Sequence, residues 1–416
     1  MTKFHLKSLG CKQNILEGNI MADSLKNEGF VEVDELTCAD IYILNSCSVT
    51  SHSDSQVNYL INQARKIKPE LKIILTGCCA QTYKNKNFNY DRIDLILGNS
   101  EKLEIARYIK KNGLMVSDIF SHSAFENKFL YNPNSTRVSV KIQDGCDNRC
   151  SYCIIPYARG KSRSNSVDNI IKQIKILTDK NIKEIVLTGI HIGQWGKEFN
   201  KTLLDLLKKI EYTDISRYRL GSLYVNEIDD DMVEFLKTSK KFCPHFHLSL
   251  QSLCDKTLKN MNRSYSANEA LNKIEQLKKA FPYAYFGCDI IVGFPYENDE
   301  DFKITYENLK KAQVSSIHCF PYSKRENTPA SLMPQVQDSV KAERAQKIME
   351  LSKNLKQEFL KKNKERTEEI LIQKKNPKTG FYSAITRNYI KIYFKDEKDD
   401  LRHSLKMVNL SEFELH

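Results

Sequence analysis

Between residues 1 and 115 short apolar runs alternate with amphipathic periods. Residues 4–9 alternate as a strand, and 15–28 place apolar side chains at helical spacing. A strand at 41–44, a helix through 57–67 and strands at 71–75 and 93–97 continue the rhythm. Such alternation predicts an open parallel sheet flanked by helices, a Rossmann-like α/β arrangement. Residues 114–136, with Ser, Asn, one Pro and no clear period, read as a linker. Strands then recur at 138–142, 185–188, 218–223, 246–250, 286–292 and 316–320, with helical patterns such as 167–178 and 267–280 between them. Six β/α repeats predict a (β/α)6 partial barrel whose post-strand loops share one face. The tail changes character: 370–372, 381–386 and 389–394 read as short strands, with Asn376-Pro377-Lys378-Thr379-Gly380 as a turn. That predicts a small C-terminal β-barrel. The expected units are 1–115, 133–362 and 365–416.

The first strand of the second unit runs into Gln143-Asp144-Gly145-Cys146, and Cys150 and Cys153 follow. The spacing C-x-x-x-C-x-x-C supplies three thiolates. Four would close a zinc or iron–sulfur site; three leave one position of a cubane cluster open to a small molecule that can receive an electron. Cys11, Cys47 and Cys78 each follow an N-terminal strand closely. In an open parallel sheet such loops gather at one edge, so these three are expected to form a second three-thiolate site. Gly10 and Gly77 precede two of them and allow close backbone approach. Cys78 is preferred to Cys79 because it directly follows the glycine, and Cys38, before a strand, is left out. Cys243, Cys288 and Cys319 lie in or beside apolar runs and read as buried small hydrophobes. Tyr152 either packs on an adenine or fills the core. Gly189, Gly193 and Gly293 admit either a ligand or a plain turn, and His245 and His247 either structure or ligation.

The net charge of +12 suits a polyanion such as RNA, or simply a soluble basic enzyme. Twelve Lys/Arg stand against six Glu between 341 and 378, beside the expected small barrel. This favours RNA, with Tyr382, Arg387 and Tyr389 placed to stack or meet phosphate, or to serve as scaffold. No stretch reaches the ~18 apolar residues of a membrane span, and the N-terminus lacks a signal-like apolar region. A cytoplasmic location is expected, so the twelve cysteines are not a disulfide framework.

Leu9-Gly10-Cys11-Lys12, Asn-Ser-Cys-Ser-Val-Thr at 45–50, Thr-Gly-Cys-Cys-Ala-Gln at 76–81 and the 144–163 segment with Tyr-Ala-Arg-Gly form one series. Leu-Thr-Gly-Ile-His-Ile-Gly at 187–193, His-Leu-Ser-Leu-Gln-Ser at 247–252, Asp-Ile-Ile-Val-Gly-Phe-Pro at 289–295 and Phe-Pro-Tyr-Ser-Lys-Arg at 320–325 continue it. With these the chain resembles the radical S-adenosylmethionine (SAM) methylthiotransferases over nearly its whole length, and the branch acting on threonylcarbamoyladenosine in particular. The resemblance implies two [4Fe-4S] clusters, one on Cys146, Cys150 and Cys153 and an auxiliary one on Cys11, Cys47 and Cys78. It implies SAM as methyl donor and radical source, with Tyr152, Gly189 and Gly293 as possible SAM contacts, and a flavodoxin- or ferredoxin-type electron donor. It also implies a TRAM-like tRNA-binding tail, the tRNA anticodon loop as partner and a monomer. The alternatives are the same chemistry on isopentenyladenosine tRNA or on a ribosomal-protein aspartate, and a zinc-containing RNA-binding protein. The chain departs from the family pattern at Tyr224, where an acidic residue is usual, and at Leu253-Cys254. Tyr296 and Asn327 replace glycines, which asks for altered backbone there.

Overall fold

The computed structural model describes residues 1–48, 51–82, 90–131, 133, 135–396 and 400–416. Val49 and Thr50 of the second cysteine motif, and residues 132 and 134 of the expected linker, lie outside the described residues.

The N-terminal region is a six-stranded parallel sheet of β1 (Lys3–Ser8), β2 (Val31–Glu32), β3 (Ile41–Ser46), β4 (Lys72–Gly77), β5 (Leu95–Leu97) and β6 (Gly113–Met115), in the order β2-β1-β3-β4-β5-β6. The chain leaves β1 toward one edge and returns beside it as β3, so the order reverses between these two strands. Ligands bind open α/β sheets at such a reversal, outside the carboxyl ends of the strands. Every residue of β3 is buried, as helices on both faces require. The helix Lys12–Asn27 buries Leu16, Ile20 and Leu25 in a core continuous with that of the next sheet, and a second core, with Val57 and Ile61, fills the opposite face. The expected linker is not free chain. Its first residues form β6, paired with β5, and Ile119, Phe129 and Leu130 are buried. A short edge strand followed by irregular but packed chain leaves no period to read.

The central region contains β7 (Arg137–Lys141), β10 (Glu184–Thr188), β11 (Arg217–Leu220), β12 (Ser222–Leu223), β13 (His245–Gln251), β14 (Tyr285–Val292) and β15 (Ser316–Pro321), all parallel. A small antiparallel pair, β8 (Gln143–Asp144) and β9 (Arg163–Ser164), brackets the cysteine loop. β11 pairs with β10 and β12 with β13, so the third repeat is split at Gly221 and the six repeats lie in two sheets. The helix Ala267–Ala280 has the expected limits, set by a Ser266–Glu269 capping box.

The tail is a four-stranded antiparallel sheet of β16 (Thr367–Lys375), β17 (Tyr382–Thr386), β18 (Lys391–Phe394) and β19 (Leu405–Asn409), ordered β18-β17-β16-β19. It docks on the amino ends of the central strands, opposite the cysteine loop. Glu184 is fully buried between Arg217 and Arg219 (2.7 and 2.8 Å), and these arginines donate onward to the carbonyls of Ile385 (3.0 Å) and Thr386 (2.7 Å). The three tail residues offered for RNA are used here. Arg387 donates to the carbonyls of Lys240 and Phe242, Tyr389 packs on His245 and Tyr285, and Tyr382 lies in the sheet's own core. Tyr296 and Asn327 both take a left-handed φ of 65°, which Asn tolerates and which costs a Tyr about 1–2 kcal/mol.

Candidate functional site

Two glycines shape the first cysteine set. Gly10 (φ +90°) turns the chain from β1 into the helix Lys12–Asn27, whose N-cap is Cys11. A Cβ on Gly10 would lie 2.5 Å from both Cβ and Sγ of Cys47, so the loop after β1 rests directly on the residue after β3. Gly77 (φ +93°) ends β4 against the backbone of Ser46, with no room for a Cβ, and delivers Cys78 to the same edge. Cys11 and Cys78 are close enough for each charge to bear on the other. Cys79 packs instead in the core behind the sheet. Cys11 is exposed as a residue, yet the mass around its thiol raises it, with Arg159 opposing. Asn99 Nδ2 lies 3.7 Å from Cys78 Sγ.

The second set stands on the loop after β8. Cys146 and Cys150 are buried and Cys153 partly so. Burial pushes the thiol of Cys146 up to about 11 and that of Cys153 up to about 12. Nearby side chains fix the sulfurs. His191 Nδ1 is 3.6 Å from Cys146 Sγ and its Nε2 meets Glu227; Tyr224 OH is 3.7 Å and Arg263 Nη1 3.6 Å from Cys150 Sγ. The Arg263 guanidinium lies 3.6 Å over the Tyr224 ring. Glu227 also accepts from the Tyr224 N–H (3.0 Å), so one carboxylate ties His191 to the start of this turn. Tyr152 and Cys153 line a cavity of about 300 Å3 with Gln251, Asp289, Ile291, Phe320 and Tyr322. Gly189 and Gly293 do not border that cavity. A Cβ at Gly189 would meet Gln143 and Ile192, and one at Gly293 would meet Lys341, so packing against protein accounts for both glycines.

A buried ionic network, unforeseen in the sequence, joins the two sets. Glu17, on the helix begun by Cys11, holds Arg159 through both oxygens (2.8 Å each), Lys102 (2.5 Å) and Lys141 (2.7 Å). Asp144, two residues before Cys146, holds Lys141 (2.7 Å), Arg163 (3.1 Å), Arg159 (3.2 Å) and Gln13 (2.8 Å). Burial alone would raise the Glu17 carboxyl, but Arg159, Lys102 and Lys141 hold it well below the usual carboxylate range. Asp144 is lowered likewise by Lys141, Arg159 and Arg163 against its burial. Four buried cations thus face Glu17 and Asp144, with the carboxyl of Glu126 nearby, pushed up to about 7 chiefly by burial. Arg159 and Lys102 of this network also stand beside Cys11 and Cys78. Arg159 was visible only as part of Tyr-Ala-Arg-Gly. Glu17 and Gln13 share a helix face at i, i+4, but nothing in the sequence pointed either toward residue 144.

Each cysteine set offers three thiols, the donor type that iron–sulfur clusters take. Tetrahedral zinc at about 2.3 Å from each sulfur draws the sulfurs to about 3.8 Å apart. Among the described residues only His247, Asp289 and His318 gather three ligand atoms within 4.8 Å of one another, and neither cysteine set does. Also among the described residues, no helix is long and apolar enough to cross a membrane.

The family model described as the radical SAM superfamily matches residues 140–309, and that described as uncharacterized protein family UPF0004 matches 3–98. Threonylcarbamoyladenosine tRNA methylthiotransferase MtaB of Aquifex aeolicus is 35% identical, over 94% of this chain and 96% of that protein. Its counterpart from Bacillus subtilis is 35% identical, over 97% and 92%. A tRNA-2-methylthio-N(6)-dimethylallyladenosine synthase of Thermodesulfovibrio yellowstonii is 34% identical, over 94% and 92%. Among solved structures, the radical S-adenosylmethionine methyltransferase TsrM from Kitasatospora setae, with cobalamin and [4Fe-4S] cluster bound, superposes with a TM-score of 0.58. That match covers 80% of this chain and 77% of that one at 12% identity, a likeness of fold.

Proposed function

The chain belongs to the tRNA methylthiotransferases of the radical SAM superfamily, and from that membership we propose its reaction. It adds a methylthio group to carbon 2 of N6-threonylcarbamoyladenosine at position 37, beside the tRNA anticodon, giving 2-methylthio-N6-threonylcarbamoyladenosine. The observation that carries this reading is the pair of three-thiolate sets at strand ends of two adjoining sheets, bridged by one buried ionic network.

In this reading residues 1–115 hold an auxiliary [4Fe-4S] cluster on Cys11, Cys47 and Cys78. Residues 133–362 hold the radical SAM cluster on Cys146, Cys150 and Cys153, and 365–416 form a TRAM-like tRNA-binding unit. The bound clusters and SAM supply low-potential reducing power, hydrogen abstraction at carbon 2, and the sulfur and methyl that replace the hydrogen. The chain's own side chains position and exclude water. His191, braced by Glu227, and Arg263, stacked on Tyr224, set the orientation of Cys146 and Cys150. Tyr152, Phe320 and Tyr322 offer ring faces in the adjoining cavity to a base that leaves the anticodon stack, a step costing a few kcal/mol. No general base is assigned, because the hydrogen leaves as an atom. A flavodoxin- or ferredoxin-type donor, action as a monomer and a cytoplasmic location complete the proposal.

Mass spectrometry of tRNA nucleosides from a strain lacking the gene tests it. The expected result is loss of the 2-methylthio nucleoside with threonylcarbamoyladenosine accumulating. Loss of the methylthio mark from isopentenyladenosine instead would move the enzyme to the other substrate.

A further inference from the structure

A second side-chain cluster lies on the strands of the central region, and the cysteine chemistry does not use it. His247 on β13, Asp289 on β14 and His318 on β15 occupy neighbouring strands, with Asp289 and His318 directly paired in register. They share a face with Ile291 and Phe320, by the two-residue period of a strand, and Gln251, beyond a bulge in β13, borders the same cavity. His247 Nε2 is 3.0 Å and His318 Nδ1 3.5 Å from the same oxygen, Oδ1 of Asp289. Both rings therefore present an N–H to that carboxylate. This fixes the His318 ring so that its other nitrogen, Nε2, is turned away from Asp289. Asp289 itself lines the cavity of Tyr152 and Cys153, and His318 is half exposed.

The two kinds of relative act on bases that differ in one group. Threonylcarbamoyl carries a carboxylate, and dimethylallyl is a hydrocarbon. A carboxylate drawn into a confined cavity needs a charged or hydrogen-bonding partner. No Lys or Arg lines this one; its walls are Tyr152, Ile154, Ile155, Ile291, Phe320 and Tyr322, with a few polar groups. Arg263 stands beside Tyr152 and Cys150, engaged with the cysteine loop, while on the Asp289 side the two imidazoles are tied to that carboxylate. With its Nδ1–H facing Asp289, the His318 ring donates through Nε2 to an anion only as an imidazolium.

Resting on the function proposed above, we propose that His318, held by Asp289 and backed by His247, is the subsite that receives the carboxylate of the threonylcarbamoyl group. It distinguishes this substrate from an adenosine bearing a hydrocarbon at the same nitrogen. The dimethylallyl group would leave the trio unpaired beside an apolar chain, and that mismatch is the discriminating penalty.

The test uses the reconstituted enzyme and two anticodon stem-loop RNAs. One carries threonylcarbamoyladenosine and the other its neutral threoninamide counterpart. The wild type is expected to favour the carboxylate RNA in kcat/KM by about tenfold or more, the scale of one charge-assisted hydrogen bond. His318→Ala and Asp289→Asn should bring the ratio toward one, and His318→Lys, which returns a cation, should keep part of it. Ratios are compared within each variant, so a general loss of activity does not move them. A ratio unchanged in His318→Ala overturns the subsite. So does one further equivalent of zinc or manganese in the wild type that His318→Ala lacks, since the trio would then be a metal site. A wild type that modifies neither RNA overturns the proposed function, and the subsite with it.

Discussion

One loop of eight residues delivers Cys146, Cys150 and Cys153, whereas Cys11, Cys47 and Cys78 come from three strand ends spread over 68 residues. The first set needs only its loop to be held in place. The second exists only when β1, β3 and β4 lie side by side and Gly10 rests on Cys47. Their surroundings differ too. Around Cys150 the fixed cation is Arg263, amid Tyr152, Tyr224 and Tyr265, whereas Cys11 and Cys78 border the cation-rich network of Arg159 and Lys102. A compact loop among aromatic rings suits a site that must admit and then isolate a small molecule. A site built by the sheet and flanked by fixed positive charge suits the holding of an anion such as sulfide.

The largest effect expected separates the two sets by what each removes. Cys150→Ala should abolish SAM cleavage altogether. Cys47→Ala should leave cleavage running, uncoupled, without methylthio product. Anaerobic reconstitution followed by assays for 5′-deoxyadenosine and modified RNA reads both. Full product from the Cys47→Ala enzyme would sink the auxiliary-cluster assignment and leave the N-terminal set structural.

Next in size is the bridge between the sets. Glu17→Gln strands Arg159, Lys102 and Lys141 in the interior with one carboxylate fewer. Removing one partner of a buried ionic group costs about 3–5 kcal/mol, read as a lower urea midpoint. The pH dependence has a definite sign. The Glu17 and Asp144 carboxyls lie below their ordinary values in the folded state. Their contribution is therefore complete above the unfolded value of about 4, and is lost as pH falls from there through the depressed folded values. Urea midpoints between pH 6 and pH 3 should fall more steeply for the wild type than for Glu17→Gln. Parallel slopes would show that the Glu17 carboxylate stabilises nothing.

The same contrast explains what the sequence could reveal. The C-x-x-x-C-x-x-C spacing is local, so it could be read without a fold. The gathering of the dispersed set was legible because each cysteine follows a strand and strands of one parallel sheet end on one edge; after Gly77 the chain turns Cys78 to that edge, and Cys79 packs in the core behind the sheet. Partnerships without a period were not legible. Glu17 and Arg159 are 142 positions apart, and a buried carboxylate on a helix looks like any polar position of an amphipathic pattern. His318 lies inside the strand read at 316–320, and nothing in the sequence shows that Asp289 faces it. Phe381 to Phe394 did read as strands, but the role of Tyr389 follows from packing against His245 and Tyr285, far away in sequence. The fourth tail strand, Leu405–Asn409, was missed because it has no clear turn signal and little burial.

The smallest effect expected concerns the tail, which serves neither cysteine set directly. Deleting 365–416 would be a poor probe, because it strips Arg217 and Arg219 of the carbonyls of Ile385 and Thr386 and exposes the buried Glu184 cluster. Loss of RNA binding would then be confounded with damage to the central region. Lys374, Lys378 and Lys391 are exposed on the docked sheet and its turn and bear no such load. Replacing each by Ala should weaken tRNA binding only a few-fold. Each lost phosphate contact should flatten the slope of log affinity against log salt by about 0.7–0.9. Affinity and slope both unchanged in the triple variant would place the tRNA surface elsewhere, with the cysteine-bearing face as the remaining choice. A flattened slope would make the tail an RNA anchor whose tight docking under the central strands keeps it in fixed register with the two cysteine sites.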